Sequence, residues 1–353
     1  MATLRDGQEE EGSSSELSRT IRSMEFAPTP PNIRKILAVA SFDGSISIWE
    51  EFSSESKSTA PKLKQDANTP CGWECTAQLE GHENEVKDVT WNATGTLLAS
   101  CGRDKSVWIW ECFLPGTIGG SGSGSGVNGP SGGGGEGDFE CLAVLQAHTG
   151  DVKSIKFAPS HGQFGDGDEI LLSASYDDTI KCWAEDAGEW YCALTLQGVH
   201  SSTIWSLAIS PGGVRMVSGS DDKSLAIWRC YTASEKKEME LENNDDSAGM
   251  HSDGLWKCVG TLTDAHDYAP VYTVDCAPSR AGHGRIVSGG ADNCINVYRE
   301  VGGSSDAPTF AIDASKKMAH DGDVNCVKWH PTNGRLLVSA GDDGLVKIWN
   351  YSM

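Results

Sequence analysis

The stretch LEGHENEVKDVTW at 79–91, followed by LLASCGRDKSVWIW at 97–110, sets out a grammar that the chain repeats. His82 leads to Val86 and Val89, then to Ser100, to Asp104 four residues later and to Trp110 six residues after that. Four more stretches keep Ser four residues before Asp and an aromatic residue six after it. They are His148, Ser173, Asp177, Trp183; His200, Ser218, Asp222, Trp228; His266, Ser288, Asp292, Tyr298; and His320, Ser339, Asp343, Trp349. A sixth unit at 17–49 keeps Asp43 and Trp49 but has Val39 in the Ser place and no His. A period of this length means that one supersecondary unit is stacked along the chain.

Within each unit, apolar and polar residues alternate in runs of five to eight, as in DVTWNA, TLLASCG and SVWIW, separated by Gly, Asp, Asn and Pro. That is strand periodicity with turn punctuation, and the fold class is all-β. Repeats with an early His, an Asp turn and a late Trp resemble the blades of a WD40 β-propeller. Buried polar groups between strands need partners, so the four residues are expected to form one hydrogen-bonded chain from Asp to His to Ser to Trp. The same residue types suggest a hydrolase triad, but a catalytic set is needed once, and five copies in one register read as architecture. The chain is therefore expected not to be an enzyme.

Composition narrows the function. Among 353 residues, 38% are apolar, enough for a large core, and Lys plus Arg number 28 against 50 Asp plus Glu, a formal charge of -22. That sign opposes phosphate neutralisation, so nucleic acid is not expected as a partner. No run of about 18 apolar residues and no leader-like start is present, which argues against a membrane span or secretion. Twelve Cys without a C-x-x-C pair read as reduced thiols of a cytoplasmic or nuclear protein.

The segments between repeats fall at one place in the grammar, after the Trp-bearing strand. Residues 51–72, 112–138, 230–254 and 300–316 are Gly/Ser-rich or highly charged, and are expected to be flexible loops opening on one face. The propeller is assigned to 17–353, with repeats ending near 49, 110, 183, 228, 298 and 349. Residues 1–16 are an N-terminal segment that reads as a closing strand, with Leu4 and Gln8 where later repeats place Leu and His.

Beyond the repeat plan, WECTAQLEGHENEVKDVTW with LLASCGRDKSVWIW resembles the WD40 subunit of the cytosolic iron–sulfur protein assembly machinery. So do SFDGSISIW, HTGDVKSIKF, SASYDDTIKCW, STIWSLAISP, DVNCVKWHP and DDGLVKIW, and the pairs Trp73/Cys75, Phe139/Cys141, Trp190/Cys192 and Trp256/Cys258 add to the likeness. The resemblance runs from about residue 17 to the end. It implies a non-enzymatic adaptor that helps insert clusters into cytosolic and nuclear apoproteins. The implied partners are a HEAT-repeat adaptor, a small acidic assembly factor, a hydrogenase-like iron–sulfur carrier and client apoproteins. That family has seven blades and six are recognisable here. Three alternatives stay open: an N-terminus lacking a blade, a start at an internal Met, or a six-bladed ring closed by residues 2–6.

Two sets of positions are expected on the binding face opposite the insertions. The residues just before each turn Asp are Phe42, Arg103, Tyr176, Asp221, Ala291 and Asp342; those after the first apolar residue following His are Arg22, Lys87, Lys153, Trp205, Tyr272 and Asn325. From these, Arg22, Lys87, Arg103 and Lys153 with Phe42, Tyr176, Trp205 and Tyr272 form a basic and aromatic mixture suited to a peptide carrying carboxylates and an aromatic group. The resemblance implies that Arg103 is functionally important, with Gly102 beside it where relatives often have Ser. It also implies recognition of a short C-terminal client peptide with an acidic and an aromatic residue.

No metal or cofactor site is expected. A cluster site needs several converging thiolates, whereas Cys71 and Cys75 have no local third partner, and Cys101, Cys182, Cys276, Cys294 and Cys326 lie within strand patterns. His161, His251, His283 and His330 have no ligand spacing. Two alternatives to the adaptor reading are a WD40 scaffold or ubiquitin-ligase substrate receptor unrelated to iron–sulfur assembly, and a metal protein in its own right.

Overall fold

A computed structural model describes residues 20–29, 34–53, 71–113, 138–161, 164, 167–232, 235, 256–263, 265–278 and 284–351. These residues divide between two compact units, one spanning Glu16–Gln146 and the other built on Ala147–Met353.

The first unit holds two four-stranded antiparallel meanders. One runs β1 (Ile21–Phe26), β2 (Ile36–Ser41), β3 (Ile46–Ser53), β4 (Cys71–Leu79), and the other β5 (Val86–Trp91), β6 (Leu97–Gly102), β7 (Ser106–Phe113), β8 (Asp138–Gln146). The second unit holds four sheets. Three are complete: β9 (Val152–Pro159) to β10 (Glu169–Ser175), β11 (Ile180–Asp186) and β12 (Glu189–Leu196); β13 (Ile204–Ile209) to β14 (Arg215–Ser220), β15 (Leu225–Cys230) and β16 (Trp256–Leu262); and β17 (Val271–Cys276) to β18 (Ile286–Gly290), β19 (Ile295–Ser304) and β20 (Ala307–Lys316). The last sheet has three strands, β21 (Val324–Trp329), β22 (Leu336–Gly341) and β23 (Val346–Asn350). Each meander is the blade unit that the repeats anticipate.

Burial explains the sequence pattern strand by strand. The second strands of the five complete sheets are covered on both faces, so they read as continuous small and apolar runs such as ILLSAS and IVSGG. The fourth strands lie at a sheet edge and are the more exposed ones, as in DFECLAVLQ, where only Leu145 is buried. Cores form between successive sheets within a unit. Ala38, Ile46 and Ile48 pack with Val86, Val89 and Leu98 in the first, and Leu172, Ile180 and Cys182 pack with Ile204, Leu207 and Met216 in the second. Each fully buried Ile or Leu there stabilises by roughly 1.5–3 kcal/mol.

The turn between second and third strands is built the same way six times. The Asp is followed by a residue with positive φ: Gly44, Lys105, Asp178, Lys223, Asn293 and Gly344, from 63° to 88°. Asp accepts from the backbone N–H two residues on, as at Asp104 to Ser106 (3.1 Å) and Asp222 to Ser224 (3.0 Å), which fixes the tight reversal.

The expected loop at 300–316 is instead an ordered hairpin. β19 and β20 pair from Ile295 opposite Lys316 to Ser304 opposite Ala307. Its Pro308–Lys316 stretch alternates like the other outer strands, and Ser305 and Asp306 make the turn, so the charged composition decorates a strand. The segments 54–70, 114–137 and 236–255, which carry most of the other expected loops, lie outside the described residues, as do residues 1–19.

One sheet face stands open. Ile21, Met24 and Phe26 of β1 are more than half exposed, whereas Val86 and Val89, at the matching places of β5, are fully buried. With Leu37, Val39, Trp49 and Trp73 they line a cavity of about 450 Å³.

Candidate functional site

The repeated His, Ser and Asp occupy one hydrogen-bond chain in five sheets. His Nδ1 lies 2.7–2.9 Å from the turn carboxylate, and His Nε2 lies 2.7–2.9 Å from the Ser hydroxyl, for His82, His148, His200, His266 and His320. In four of them the Trp indole N–H then donates to that Ser Oγ at 2.8–3.0 Å: Trp110, Trp183, Trp228 and Trp349. One proton order satisfies every atom, with the indole donating to Ser, Ser to Nε2, and Nδ1–H to Asp. The imidazoles are buried and their partners are one another, so the set has no exposed nucleophile. Burial works to raise the Asp104 pKa, but hydrogen bonds from His82 and Ser106 prevail and hold it down to about 2. The same opposition holds Asp177 and Asp222 well below the usual carboxylate range. The first sheet lacks the His: there Asp43 accepts from the Ser45 hydroxyl at 2.6 Å, and the Trp49 indole donates to Ser47 at 2.9 Å.

A backbone irregularity presents the expected binding residues. In each first strand the pairing register slips by one residue directly after its first position. The residues left out of the ladder are Arg22, Lys87, Lys153, Trp205, Tyr272 and Asn325. A bulge of this kind bends the strand and re-aims the extra side chain.

In the first unit, Lys87 Nζ stands 4.3 Å over the ring of Phe42. It also pairs with Glu85, whose other carboxylate oxygen takes Arg103 Nη1 at 3.4 Å, while the Arg103 backbone N–H donates to the Glu85 carbonyl at 2.9 Å. The hydrogen bond from Lys87 pulls the Glu85 pKa below its ordinary value. Lys87 is largely covered, with 12% of its side chain exposed, while Arg103 is 55% exposed. Arg103 is thus the available cation of this cluster. Arg22 is exposed on β1, with Phe42 N bonded to the Thr20 carbonyl beside it. A Cβ added at Gly102 would sit 2.9 Å from the Glu85 carbonyl. In sister sheets Ser occupies that place and donates to the carbonyl two residues after His: Ser175 to Gly150 at 3.1 Å and Ser220 to Ser202 at 3.0 Å.

In the second unit, Lys153 pairs with Asp151 at 3.0 Å and lies 5.8 Å from the Tyr176 ring and 5.0 Å from the Trp205 ring. Trp205 meets Tyr272 edge-on at 5.5 Å. Acids crowd the far side of that pair. Burial, then Asp323, Asp221 and Asp342 push the Tyr272 hydroxyl up, and burial and Asp342 raise Asp323. The four named residues are together here, but the sole cation among them is neutralised.

The sequence reading missed Glu85 and Asp151. Their signal was legible as Glu85-Val86-Lys87 and Asp151-Val152-Lys153, since residues two apart on a strand share a face. The aromatic-x-Cys motif also has a register explanation. Cys75, Cys141, Cys192 and Cys258 each pair with the core Trp of their own sheet, opposite Trp49, Trp110, Trp183 and Trp228, next to a second bulge. Among the described residues no three His, Cys, Asp or Glu side chains gather as metal ligands.

Comparisons with known proteins fit this architecture. The model of the WD domain, G-beta repeat, matches residues 73–111, 139–184, 190–229, 256–299 and 314–350. A Candida albicans protein named "Probable cytosolic iron-sulfur protein assembly protein 1" is 36% identical over 94% of this chain and 84% of its own length. The protein of the same name from Neurospora crassa is 28% identical over 94% and 84%. For that of Chaetomium globosum the figures are 30%, 78% and 65%, so the chain spans just under two thirds of that relative. The match of five repeats and the likeness over most of the chain together place it in the WD40 repeat family, as a member of the cytosolic iron-sulfur protein assembly protein 1 group.

Proposed function

We propose that the chain is a non-enzymatic adaptor of cytosolic iron–sulfur protein assembly, which captures partners and clients by short peptides carrying a carboxylate and an aromatic group. The observation that carries this reading is Arg103: an exposed guanidinium on a family-typical turn, 3.4 Å from Glu85, beside a Lys87–Phe42 stack. A planar fork of N–H donors suits a bidentate carboxylate, and the neighbouring ring offers a wall for an aromatic side chain. An incoming carboxylate exchanges with the long Glu85 contact, so binding costs little rearrangement. The five hydrogen-bonded His–Ser–Asp sets support the non-catalytic part, since their groups are spent on one another.

On this reading the chain works in the cytosol and serves nuclear clients as well. It meets a HEAT-repeat adaptor, a small acidic assembly factor and a hydrogenase-like iron–sulfur carrier, the cluster itself being cargo. The test is fluorescence anisotropy with an acidic, aromatic-ended peptide at two salt concentrations. Arg103→Ala should weaken capture and Arg103→Glu should weaken it further, because repulsion is added to the lost bond, and salt should weaken wild-type binding. Equal affinity of wild type and both variants overturns the assignment of the site. Affinity capture that returns ubiquitin-ligase components in place of assembly factors overturns the reading itself.

A further inference from the structure

The last sheet inverts the charges found at the Arg103 turn. In the sheet of β5 to β8, Glu85 stands two residues before the slipped Lys87, and its carboxylate takes both Lys87 and Arg103, the residue before the turn Asp. In the sheet of β9 to β12, Asp151 holds the same place and takes Lys153 at 3.0 Å. Asp323 holds that place in the last sheet, but the slipped residue there is Asn325 and the residue before the turn Asp is Asp342. Both cations that serve Glu85 are thus replaced, one by an amide and one by a second acid. Asn325 Nδ2 donates to the Asp342 carboxylate, and the Asp342 backbone N–H donates to the Asp323 carbonyl at 3.0 Å, which holds the two acids side by side. Among the described residues no Lys or Arg pairs with Asp221, Asp323 or Asp342. Burial and the neighbouring Asp342 push the Asp323 carboxyl up, as expected of like charges without a counter-ion.

Aromatic rings adjoin this acidic pair. Within the second unit the first strands β13, β17 and β21 are neighbours, and they present Trp205, Tyr272 and Asn325 in a row. The Trp205 indole donates to Asp221 at 3.5 Å, its ring meets that of Tyr272 edge-on at 5.5 Å, and Tyr272 stands in the field of Asp221, Asp323 and Asp342. The chain already seats a cation on one of these rings, since Lys153 Nζ lies 5.0 Å from the centre of Trp205. A cation at Asp323 is therefore indicated twice, by the carboxylates at the same place in two sister sheets and by the ring. We propose that Asp323, Asp342 and Tyr272 form a docking site for an arginine side chain on a basic segment of a partner, the guanidinium bridging the two carboxylates with its plane against the Tyr272 ring. The formal charge of -22 disfavours a second copy of this chain as the occupant. The inference does not rest on peptide capture by Arg103, which calls for a ligand of the opposite charge.

Anisotropy of the full chain with the fluorescein-labelled peptide GSRGRSG tests it. Asn325→Lys gives Asp323 the cation that Lys153 gives Asp151, so it should weaken binding about tenfold while the melting temperature stays at or above that of wild type. Asp323→Asn combined with Asp342→Asn should weaken it at least as much. Glu140→Gln combined with Glu189→Gln, two exposed acids on outer strands, should change it less than about twofold. The peptide GSKGKSG should bind about fivefold more weakly, because an ammonium cannot bridge two carboxylates in one plane. Unchanged affinity in Asn325→Lys overturns the proposal, and so does equal weakening by the Glu140 and Glu189 pair, which would mean attraction to net charge alone. Equal binding of the lysine peptide overturns the arginine assignment. Sedimentation in which wild type dimerises and Asn325→Lys does not would give the surface to a second copy, and overturns it as well.

Discussion

The hydroxyl of Tyr298 donates to the carbonyl of Ala265 at 2.6 Å, at the one His-bearing repeat where the late Trp is replaced. Ala265 immediately precedes His266, so the Tyr ties the third strand to the start of its own repeat by a different bond from the indole–Ser contact elsewhere. Tyr298 is buried, and burial drives its pKa up to about 12. The Asn296 side-chain amide donates to the same carbonyl at 2.8 Å, so Tyr298→Phe removes one of its two donors and should lower stability by no more than about 1 kcal/mol, measured as a fall in urea midpoint.

Asp104 accepts from His82, from Ser106 twice and from the Glu83 backbone, so Asp104→Ala should cost roughly 1–3 kcal/mol, as should Asp222→Ala. The pH dependence follows from its depressed pKa. Above about pH 5 the carboxylate is ionised in folded and unfolded chains alike, and its contribution is fully present. As pH falls toward the folded value of about 2, the unfolded chain takes up the proton first and that stability is lost. The melting temperature of wild type should drop between pH 4 and 2, and Asp104→Asn should show a shallower drop. Parallel curves would contradict the linkage.

Met24 and Val89 hold the same place in successive first strands, one exposed and one fully buried. Val89→Ala should cost about 2 kcal/mol and Met24→Ala less than about 0.5 kcal/mol by thermal denaturation. Comparable losses would mean that the open β1 face is covered in solution.

Glu85 occupies the carboxylate-seeking side of Arg103. If the Arg103 fork takes a client carboxylate, Glu85→Gln should tighten capture of an acidic peptide about two- to fivefold, the scale of one exposed ion pair, at unchanged fold. Anisotropy at low salt reads it, and weaker binding would make Glu85 part of the receptor.

The strands, turns and His–Ser–Asp sets were legible in the sequence because each depends on local spacing repeated in register. Trp110 and Ser100 are ten apart in every copy, and that spacing fixes an indole across one hairpin. What spacing could not show was direction. Lys153 reads as a free cation, yet Asp151 two residues earlier shares its strand face and neutralises it. The hairpin of β19 and β20 was hidden for a related reason, since Gly302, Gly303 and the Ser/Asp turn give 300–316 the composition of a loop while its pairing is set by β19. The aromatic-x-Cys pairs counted toward the family likeness, and the recurrence of Cys75 and Cys141 reflects one pairing register opposite Trp49 and Trp110.

The slipped residue of each first strand separates reading from building. Because Lys87, Trp205 or Asn325 has no cross-strand partner in the ladder, its side chain can change without altering any pair that holds the sheet. On the proposed adaptor reading, a lineage can revise what each such position recognises one sheet at a time, exchanging a cation for a ring or an amide, while selection on the His, Ser and Asp of the same repeat stays constant. Sequence drift at these six places should accordingly track the identity of partners, and drift at the hydrogen-bonded sets should track only the temperature at which the protein must stay folded.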